Sequence, residues 1–396
     1  MRSSLHLIAA VAAATLSLAA QSNPARPIDP WQMEASGVTA SLRGIDTVDG
    51  TVAWASGTEG TVLETIDGGA HWQKCAVPDA GRDGATLDFR GVQGWDANTA
   101  IVMASGPGEK SRPYKTTDGC KSWTLLYRNP DAPGGFFDSF WFNGRRGMLL
   151  ADPVGGRLAV FKTPNGGKSW KRDPQEGLLL HGRSLGAFAA SNRCIARGNR
   201  LFARAFVTGG KGGSVFYSRL ADPDDLEPPG LIVRLTEKPA GWKTSPIPVA
   251  SGTESAGVFA VSYRYPVTVG LCPDCGFRDN SRFIAVGGDY TKPNEPAGTA
   301  AWSADGGDNW TASAQPPHGY RSSVEWSEAL KLWITVGTNG SDISRDDGKT
   351  WQRLDDGNWN AVSLPFAVGP NGRIARLIPA AVSDRSNPVR PAPARP

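Results

Sequence analysis

The sequence predicts an all-β fold, a single β-propeller whose simplest form has seven four-stranded blades. Two repeats support this prediction: polar turns that end in tryptophan, and apolar strand pairs that precede the turns. Gly (48 residues) and Pro (30 residues) are abundant, which suits many short strands joined by tight turns. Units of short strands that recur every ~40 to 55 residues are typical of propeller blades.

The turn repeat occurs five times with little variation. Its copies read TIDGGAHW (65–72), TTDGCKSW (116–123), TPNGGKSW (163–170), SADGGDNW (303–310) and SRDDGKTW (344–351). A sixth unit follows the strand SVFYS (214–218), where an insert separates the strand from Trp242.

This turn has the Asp-box pattern, S/T-x-D-x-G-x-x-W. Its hydroxyl and carboxylate can bond backbone N–H groups of the loop, Gly supplies positive φ, and Trp is expected to pack between the outer strands of its own blade. Asn165 fits a structural role, because an amide accepts the same bonds but cannot act as an acid or base. We expect that role for Asp67, Trp72, Asp118, Trp123, Asn165, Trp170, Asp305, Trp310, Asp346 and Trp351.

The strand-pair repeat predicts how the ring closes. Its copies are residues 43–57, 90–106, 138–152, 186–198, 257–270 and 321–337. A seventh copy, 360–380, has no turn of its own, and WQMEAS (31–36) from the other end of the chain is expected to supply its outer strand. Pairing the chain ends in one blade leaves few exposed strand edges. Six or eight blades remain open, since two units carry inserts.

The propeller is expected to span residues 31–380, and the segments on either side of it predict export. Residues 1–20 combine Arg2 with an apolar run that ends in small residues, which is typical of a secretory signal peptide. Residues 21–30 then form a linker and residues 381–396 a flexible Pro- and Arg-rich tail. We expect a periplasmic or secreted monomer without a membrane span in its mature chain. The near balance of 42 basic and 38 acidic residues argues against a nucleic-acid partner.

The five cysteines predict at least one disulfide in an oxidising compartment. The CPDC stretch favours a local bond between Cys272 and Cys275, with a redox pair or half a zinc site as alternatives. The acidic insert ADPDDLE (221–227) lacks the periodic ligand spacing of a calcium loop, which favours a solvated loop. No metal or cofactor is expected.

Candidate binding residues follow from the geometry of a propeller, in which each innermost strand starts at one mouth of the central channel. Converging guanidiniums there would favour a carboxylate, a phosphate or an acidic peptide. In the alternative, each Arg pairs with a nearby carboxylate or extends into solvent. The candidates are Arg43, Arg90, Arg183, Arg321, Tyr320, Asp289 and Tyr290.

The sequence contains neither a Gly-x-Ser-x-Gly elbow nor a His-Glu-x-x-His motif, and only four His are present. No catalytic residue is therefore predicted. A carboxylate pair assembled from distant blades remains open.

The repeats resemble the photosystem II stability/assembly factor family, a group of seven-bladed BNR-repeat proteins. The resemblance spans roughly residues 31–380 and rests on the turns and on the stretches FRGVQ (89–93), GAFAASN (186–192) and IAVGGDYTKP (284–293). It implies a non-enzymatic exported propeller that binds proteins and helps a membrane complex assemble. Sialidases share the Asp-box, but their Arg-Ile-Pro segment is absent here.

We therefore expect a binding module that recognises a protein or peptide, such as a membrane-complex subunit, at the Arg-bearing mouth. A glycan-binding or glycan-hydrolysing propeller is the alternative, because Arg43, Arg90 and Arg321 could imitate the arginine triad of a sialidase.

Overall fold

The computed structural model describes residues 29–196, 204–219, 241–265 and 281–383. The predicted signal peptide, most of the linker, the acidic insert 221–227, the CPDC stretch and nearly all of the tail lie outside these ranges.

Seven four-stranded antiparallel sheets form the blades of one ring, which confirms the predicted seven-bladed propeller. The first strand, β1 (Trp31–Glu34), belongs to the last blade. Blade 1 contains β2 (Leu42–Thr47), β3 (Ala53–Gly57), β4 (Val62–Thr65) and β5 (Gln73–Lys74). Blade 2 contains β6 (Phe89–Gly94), β7 (Ala100–Ala104), β8 (Arg112–Thr116) and β9 (Thr124–Leu125). Blade 3 contains β10 (Phe137–Asn143), β11 (Arg146–Val154), β12 (Arg157–Thr163) and β13 (Lys171–Arg172).

The second half of the ring repeats this order. Blade 4 contains β14 (Ile195–Ala196), β15 (Arg204–Thr208), β16 (Val215–Arg219) and β17 (Lys243–Pro246). Blade 5 contains β18 (Ala256–Arg264), β19 (Arg282–Asp289), β20 (Ala300–Ser303) and β21 (Thr311–Ala312). Blade 6 contains β22 (Ser323–Ser327), β23 (Leu332–Gly337), β24 (Gly340–Ser344) and β25 (Gln352–Asp355). Blade 7 contains β26 (Ala361–Ser363), β27 (Phe366–Val368), β28 (Ile374–Leu377) and β1. The described helices are three 3₁₀ turns (Gly84–Thr86, Gly108–Lys110, Glu176–Leu178) and one short α-helix, α1 (Pro379–Ser383).

Closure of the ring follows the predicted scheme. β1 pairs with β28 in antiparallel register, with Trp31 opposite Leu377 and Glu34 opposite Ile374. The indole N–H of Trp31 also donates to the Ser341 hydroxyl of blade 6 at 3.1 Å. Two distant chain segments therefore complete one blade.

The predicted strand pairs of blades 4 and 5 are wrong in detail. In blade 5, residues 256–264 form the single strand β18, and its partner is β19 beyond a long connection. In blade 4, the predicted segment 186–198 is described as far as residue 196, and within that part only Ile195 and Ala196 pair in β14, with β15 as their partner. An apolar run alone does not show where a strand pauses, because buried loops and strands share that composition.

The hydrophobic core is divided into layers between neighbouring blades. One cluster joins Trp333 of blade 6 to Ile284 and Val286 of blade 5. Another joins Trp54 of blade 1 to Phe89 of blade 2. The apolar faces of the sheets are thus buried against one another around the ring.

All five Asp-box turns share one hydrogen-bonding scheme. A side-chain oxygen accepts from the Ser or Thr hydroxyl two residues earlier and from the backbone N–H four residues later. In the third turn these distances to Asn165 are 3.0 Å from Thr163 and 2.9 Å from Ser169. The same bonds reach Asp67, Asp118, Asp305 and Asp346. The hydroxyl and backbone N–H of Ser122 lower the pKa of Asp118 to about 2, so that this carboxylate is held ionised within its turn.

The Trp residues of the boxes contact the preceding blade rather than only the outer strands of their own blade, which corrects the expected packing. Trp72 donates its indole N–H to Glu34 of β1 at 2.9 Å, and Trp123 donates to the carbonyl of Ala76 at 2.8 Å. Trp170 stacks on Tyr127 with ring centroids 5.6 Å apart. Each box therefore fastens one blade to the blade before it.

A disulfide between Cys75 and Cys120 strengthens one of these junctions. Cys75 follows the outer strand of blade 1, and Cys120 lies in the Asp-box of blade 2. Cys120 has φ 55° and occupies the box position that is glycine in the other four turns. At that position a Cβ on Gly307 would lie 2.3 Å from Phe216 of the preceding blade. The predicted Cys272–Cys275 bond lies outside the described residues, and Cys194 is the one free cysteine within them.

No helix among the described residues is long and apolar enough to cross a membrane.

Candidate functional site

The innermost strands carry bulges where they start at the channel mouth. Register shifts isolate one residue near the start of the strand in four blades: Arg43, Arg90 and Asp138, each the second residue of its strand, and Phe259, the fourth residue of β18. A bulge leaves one residue unpaired and re-aims its side chain, and bulges are frequent beside functional sites. These four residues therefore define the mouth, which lies on the ring face opposite to the Asp-boxes.

A segment of blade 4 fills the channel beneath this mouth. Residues 187–194, here called the plug, leave the blade after the Gly186–Gly209 bridge and return at β14. The Ser191 hydroxyl donates to Ser322 of blade 6 at 2.7 Å, and Arg193 donates to the Val362 carbonyl of blade 7 at 2.9 Å. Asn192 accepts from the backbone N–H of Phe140 in blade 3 at 2.8 Å. Blades 6 and 7 are not neighbours of blade 4, so the plug crosses the centre of the ring.

The two bulged arginines differ in their pairing. Arg90 binds the Asp88 carboxylate at 2.7 Å through Nε and donates to the plug carbonyl of Ala189 at 3.2 Å. Arg43 makes no ion pair with the described residues, and its buried Nε lacks a hydrogen-bond partner there. Burial lowers the pKa of Arg43 and the nearby Asp88 opposes that shift. Arg43 is thus the less neutralised of the two guanidiniums.

Two carboxyl groups that the sequence reasoning missed lie below the arginines. Asp138 is 1% exposed, and burial followed by the neighbouring Asp152 raises its pKa well above the ordinary value. Burial also raises the pKa of Asp152 to about 6, against the opposing hydrogen bond from the Ala187 N–H. The Cys194 thiol of the plug lies beside them and donates to the carbonyl of Phe188 at 2.9 Å. A buried, hydrogen-bond-poor carboxyl is suited to stay protonated rather than to meet a substrate.

An aromatic cluster completes the mouth on the side of blades 5 and 6. Phe188 of the plug stacks on Phe259 with centroids 3.8 Å apart, and Tyr320 meets Phe259 edge-on at 4.8 Å. Tyr290 meets the same ring edge-on at 6.1 Å and is 53% exposed. Asp289, at the end of β19, accepts from the backbone N–H and hydroxyl of Thr291, and so holds the loop that carries Tyr290.

Arg321 is not at the mouth, which corrects the sequence prediction. Its side chain has no exposed surface and forms a buried ion pair with Asp342 at 2.7 Å through Nε. The structural counterpart of Arg43 in blade 6 is Ser322. A Cβ on Gly57 would meet the backbone of Ser41 and Leu42, and a Cβ on Gly337 would meet the backbone of Tyr320 and Arg321 in the same way. Arg321 therefore corresponds to Leu42, and the next residue, Ser322, corresponds to Arg43. Arg321 is therefore one residue out of register and faces the blade interior.

Arg183 also lies apart from the bulged arginines. Its guanidinium is exposed and donates to the carbonyl of Gly212 at 3.0 Å through Nη2. Of the seven candidates, the structure brings Arg43, Arg90, Tyr320, Asp289 and Tyr290 to one face around the plug.

A sequence signal existed for the missed mouth residues. An apolar residue precedes the bulged position and a small residue follows it in LRG (42–44), FRG (89–91), FDS (137–139) and VFA (258–260). Alignment on this pattern selects Asp138 and Phe259, but it also admits Arg321 in YRS (320–322), so only the structure shows that Arg321 faces the blade interior. Among the described residues no cluster of three His, Cys, Asp or Glu could hold a metal ion.

The fold and the site define the class: a seven-bladed Asp-box propeller with a plugged channel and a mouth that combines arginines with aromatic rings. The family model described as photosynthesis system II assembly factor YCF48 matches residues 23–199. The chain thus resembles the photosystem II assembly factor family, as its motifs predicted.

Individual relatives agree with this resemblance. The photosystem II assembly lipoprotein Ycf48 of Synechococcus sp. (strain CC9902) is 29% identical over 153 residues, which are 37% of this chain and 41% of that protein. The chain thus spans about two fifths of the length of that curated relative. Two solved structures share the fold, each with a TM-score of 0.55. One, described as YCF48 bound to D1 peptide, is 18% identical over 90% of this chain and 99% of its own. The other, YCF48 from Cyanidioschyzon merolae, is 19% identical over 89% of this chain and 99% of its own.

Proposed function

We propose that this protein is a non-enzymatic propeller that binds a peptide segment of a partner protein at its mouth and assists the assembly of a membrane complex. The observation that carries the proposal is Arg43, a guanidinium without an ion pair among the described residues, set beside a second guanidinium that is already neutralised. Such a group favours an anionic ligand, because the cost of removing its water is offset only when a carboxylate binds. The photosystem II relatives support the assembly role, since one of them was solved with a D1 peptide.

The plug supports peptide binding over threading or hydrolysis. Because it fills the channel, a ligand meets a blind-ended surface at the mouth. The carboxyl pair that a glycosidase would need lies below that surface, where Asp138 is 1% exposed and out of reach of a glycosidic oxygen. The mouth therefore offers recognition groups rather than a catalytic pair.

The location of the protein is part of the proposal. We place it outside the cytoplasm, in the periplasm, in the medium or in an equivalent lumen. The Cys75–Cys120 disulfide supports an oxidising compartment, and the relative from Synechococcus is described as a lipoprotein.

Affinity capture tests the proposal. The tagged protein is incubated with detergent-solubilised native membranes, and co-purifying proteins are identified by mass spectrometry. Arg43→Gln removes the mouth charge, whereas Lys168→Gln removes one charge from an exposed box position on the opposite face. A membrane-complex subunit that is retained by the wild type and by Lys168→Gln, and lost with Arg43→Gln, is the expected result. Equal capture by all three, or retention of soluble glycans in place of a protein, would overturn the proposal.

A further inference from the structure

Tyr290 is the exposed end of a continuous aromatic surface. Its ring meets Phe259 edge-on at 6.1 Å, and Phe259 stacks on Phe188 of the plug at 3.8 Å. We call Phe188, Phe259 and Tyr290 the aromatic ledge. Phe259 is 3% exposed, whereas Tyr290 is 53% exposed, so the inner rings support the outer one from below. Large aromatics that stand on a packed base are frequent anchors of protein interfaces.

The loop that carries Tyr290 is held in place by hydrogen bonds. Asp289 accepts from the Thr291 hydroxyl at 2.6 Å, and the Lys292 N–H donates to the Asp289 carbonyl at 2.9 Å. The backbone N–H of Tyr320 fixes the far side of the loop by donating to the carbonyl of Pro293 at 3.0 Å. A ligand that packs on Tyr290 therefore has little ordering cost to overcome.

The ledge lies next to the unpaired guanidinium. Tyr320 links the two: its ring meets Phe259 edge-on at 4.8 Å, and burial raises the pKa of its phenol while the charge of the nearby Arg43 opposes that rise. An extended peptide advances about 3.3 Å per residue, so one to three residues are enough to pass over the width of the Tyr320 ring. A single short segment can thus touch both features.

We infer that the mouth reads a peptide in which a large apolar side chain lies one to three residues from an acidic group, with the apolar side chain on the aromatic ledge and the acid at Arg43. The inference rests on the proposed function and adds the chemistry of the ligand. Arg90 is a positioning residue in this arrangement, because the Asp88 carboxylate already binds its Nε and the plug carbonyl of Ala189 already accepts from its Nη1.

A double-mutant comparison with synthetic peptides tests the inference. The probe is a capped, fluorescein-labelled hexapeptide with phenylalanine two residues before aspartate and glycine or serine elsewhere. Three counterparts replace the phenylalanine by alanine, the aspartate by asparagine, or both. Fluorescence anisotropy measures each Kd with wild type, Tyr290→Ala, Tyr290→Phe, Arg43→Gln and the control Lys168→Gln, and thermal melting confirms that each variant is folded.

The expected result is selective. Tyr290→Ala weakens the phenylalanine probe about tenfold and the alanine probe less than twofold, whereas Tyr290→Phe stays within twofold of wild type. Arg43→Gln weakens only the two aspartate probes. Equal losses for the phenylalanine and alanine probes would overturn the inference.

The remaining outcomes separate the inference from the proposed function. If the wild type binds none of the probes at millimolar concentration while the captured membrane subunit still depends on Arg43, the inference fails and the proposed function stands. If neither probes nor subunit bind, both fail. Binding of a neutral oligosaccharide that is lost with Tyr290→Ala would overturn both in favour of a glycan ligand.

Discussion

The disulfide between blades 1 and 2 gives a prediction of stability that can be worked from the structure. The perturbation is the pair Cys75→Ala and Cys120→Gly, which removes the bond and returns the Asp-box of blade 2 to the glycine of its four counterparts. The bond closes a loop with a sequence separation of 45, for which the chain-entropy relation gives about 4 kcal/mol of unfolding free energy. With an unfolding entropy of about 2.1 cal/mol/K per residue over roughly 350 residues, this corresponds to a decrease in Tm of about 5 °C.

The assay compares urea unfolding and calorimetric melting of the oxidised wild type with this variant and with a second one, Cys75→Ala with Cys120→Ala. Position 120 has φ 55°, a region that costs a non-glycine residue about 1 kcal/mol. The alanine version is therefore expected to be less stable than the glycine version by about that amount. A loss under 1 kcal/mol for the glycine version, or an alanine version that is equally stable, would refute the reasoning.

Three further predictions concern single side chains. Burial, and next the nearby Asp96, raises the pKa of Glu64 to about 7 from 4.5, so its favourable contribution is complete below pH 4.5 and is lost as the pH rises through 7. In urea titrations, the unfolding free energy of Glu64→Gln minus that of the wild type should rise by about 3 kcal/mol as the pH goes from 4.5 to 8. A difference that does not change with pH would contradict this. Asp346→Ala should cost about 1 kcal/mol and Asp346→Asn less than half of that, since Asn165 makes the same bonds; equal losses in thermal melts would argue against the shared scheme. Arg321→Gln should cost about 3 to 5 kcal/mol by leaving Asp342 buried and unpaired, while the folded variant keeps wild-type affinity for the partner peptide in anisotropy titrations; a selective loss of affinity would place Arg321 at the mouth after all.

The blade architecture was predictable because its signals are local and repeated. The Asp-box places the turn between the third and fourth strands of a blade, and its recurrence determines how many blades fit the chain. The closure by WQMEAS (31–36) followed from the need of the last blade for an outer strand. The turn inferences depend on hydrogen bonds within about ten residues, which sequence patterns report well, whereas the closure joins Trp31 to Leu377 and was inferred from the number of strands that a blade needs.

The plug was not predictable from the same signals. Its residues are small or apolar, as a strand would be, and what distinguishes them is their bonding to blades 3, 6 and 7. The Cys75–Cys120 bond was hidden for a similar reason, because it joins two blades and five cysteines allow several pairings.

The mouth was predictable only in part because its side chains are aimed by bulges. A bulge shifts by one residue the alternation of side chains between the two faces of a sheet. Arg43 and Arg90 therefore turn toward the channel, whereas Arg321, which lies one position before their counterpart in blade 6, enters the blade. The buried carboxyls Asp138 and Asp152 come from one blade rather than from distant ones, and burial takes Asp138 out of reach of a ligand.

Site-specific photo-cross-linking would test most directly the claim that the mouth face binds the partner. A photoreactive amino acid is placed either at position 290, on the aromatic ledge, or at position 66, in the first Asp-box on the opposite face. Tyr290 and Ile66 are both exposed large side chains, at 53% and 62%, so that the two positions are matched in accessibility. After irradiation with native membranes, position 290 is predicted to form a cross-link to one membrane-complex subunit, and position 66 is predicted to form none. A cross-link from position 66 alone would contradict the account and move the partner to the Asp-box face.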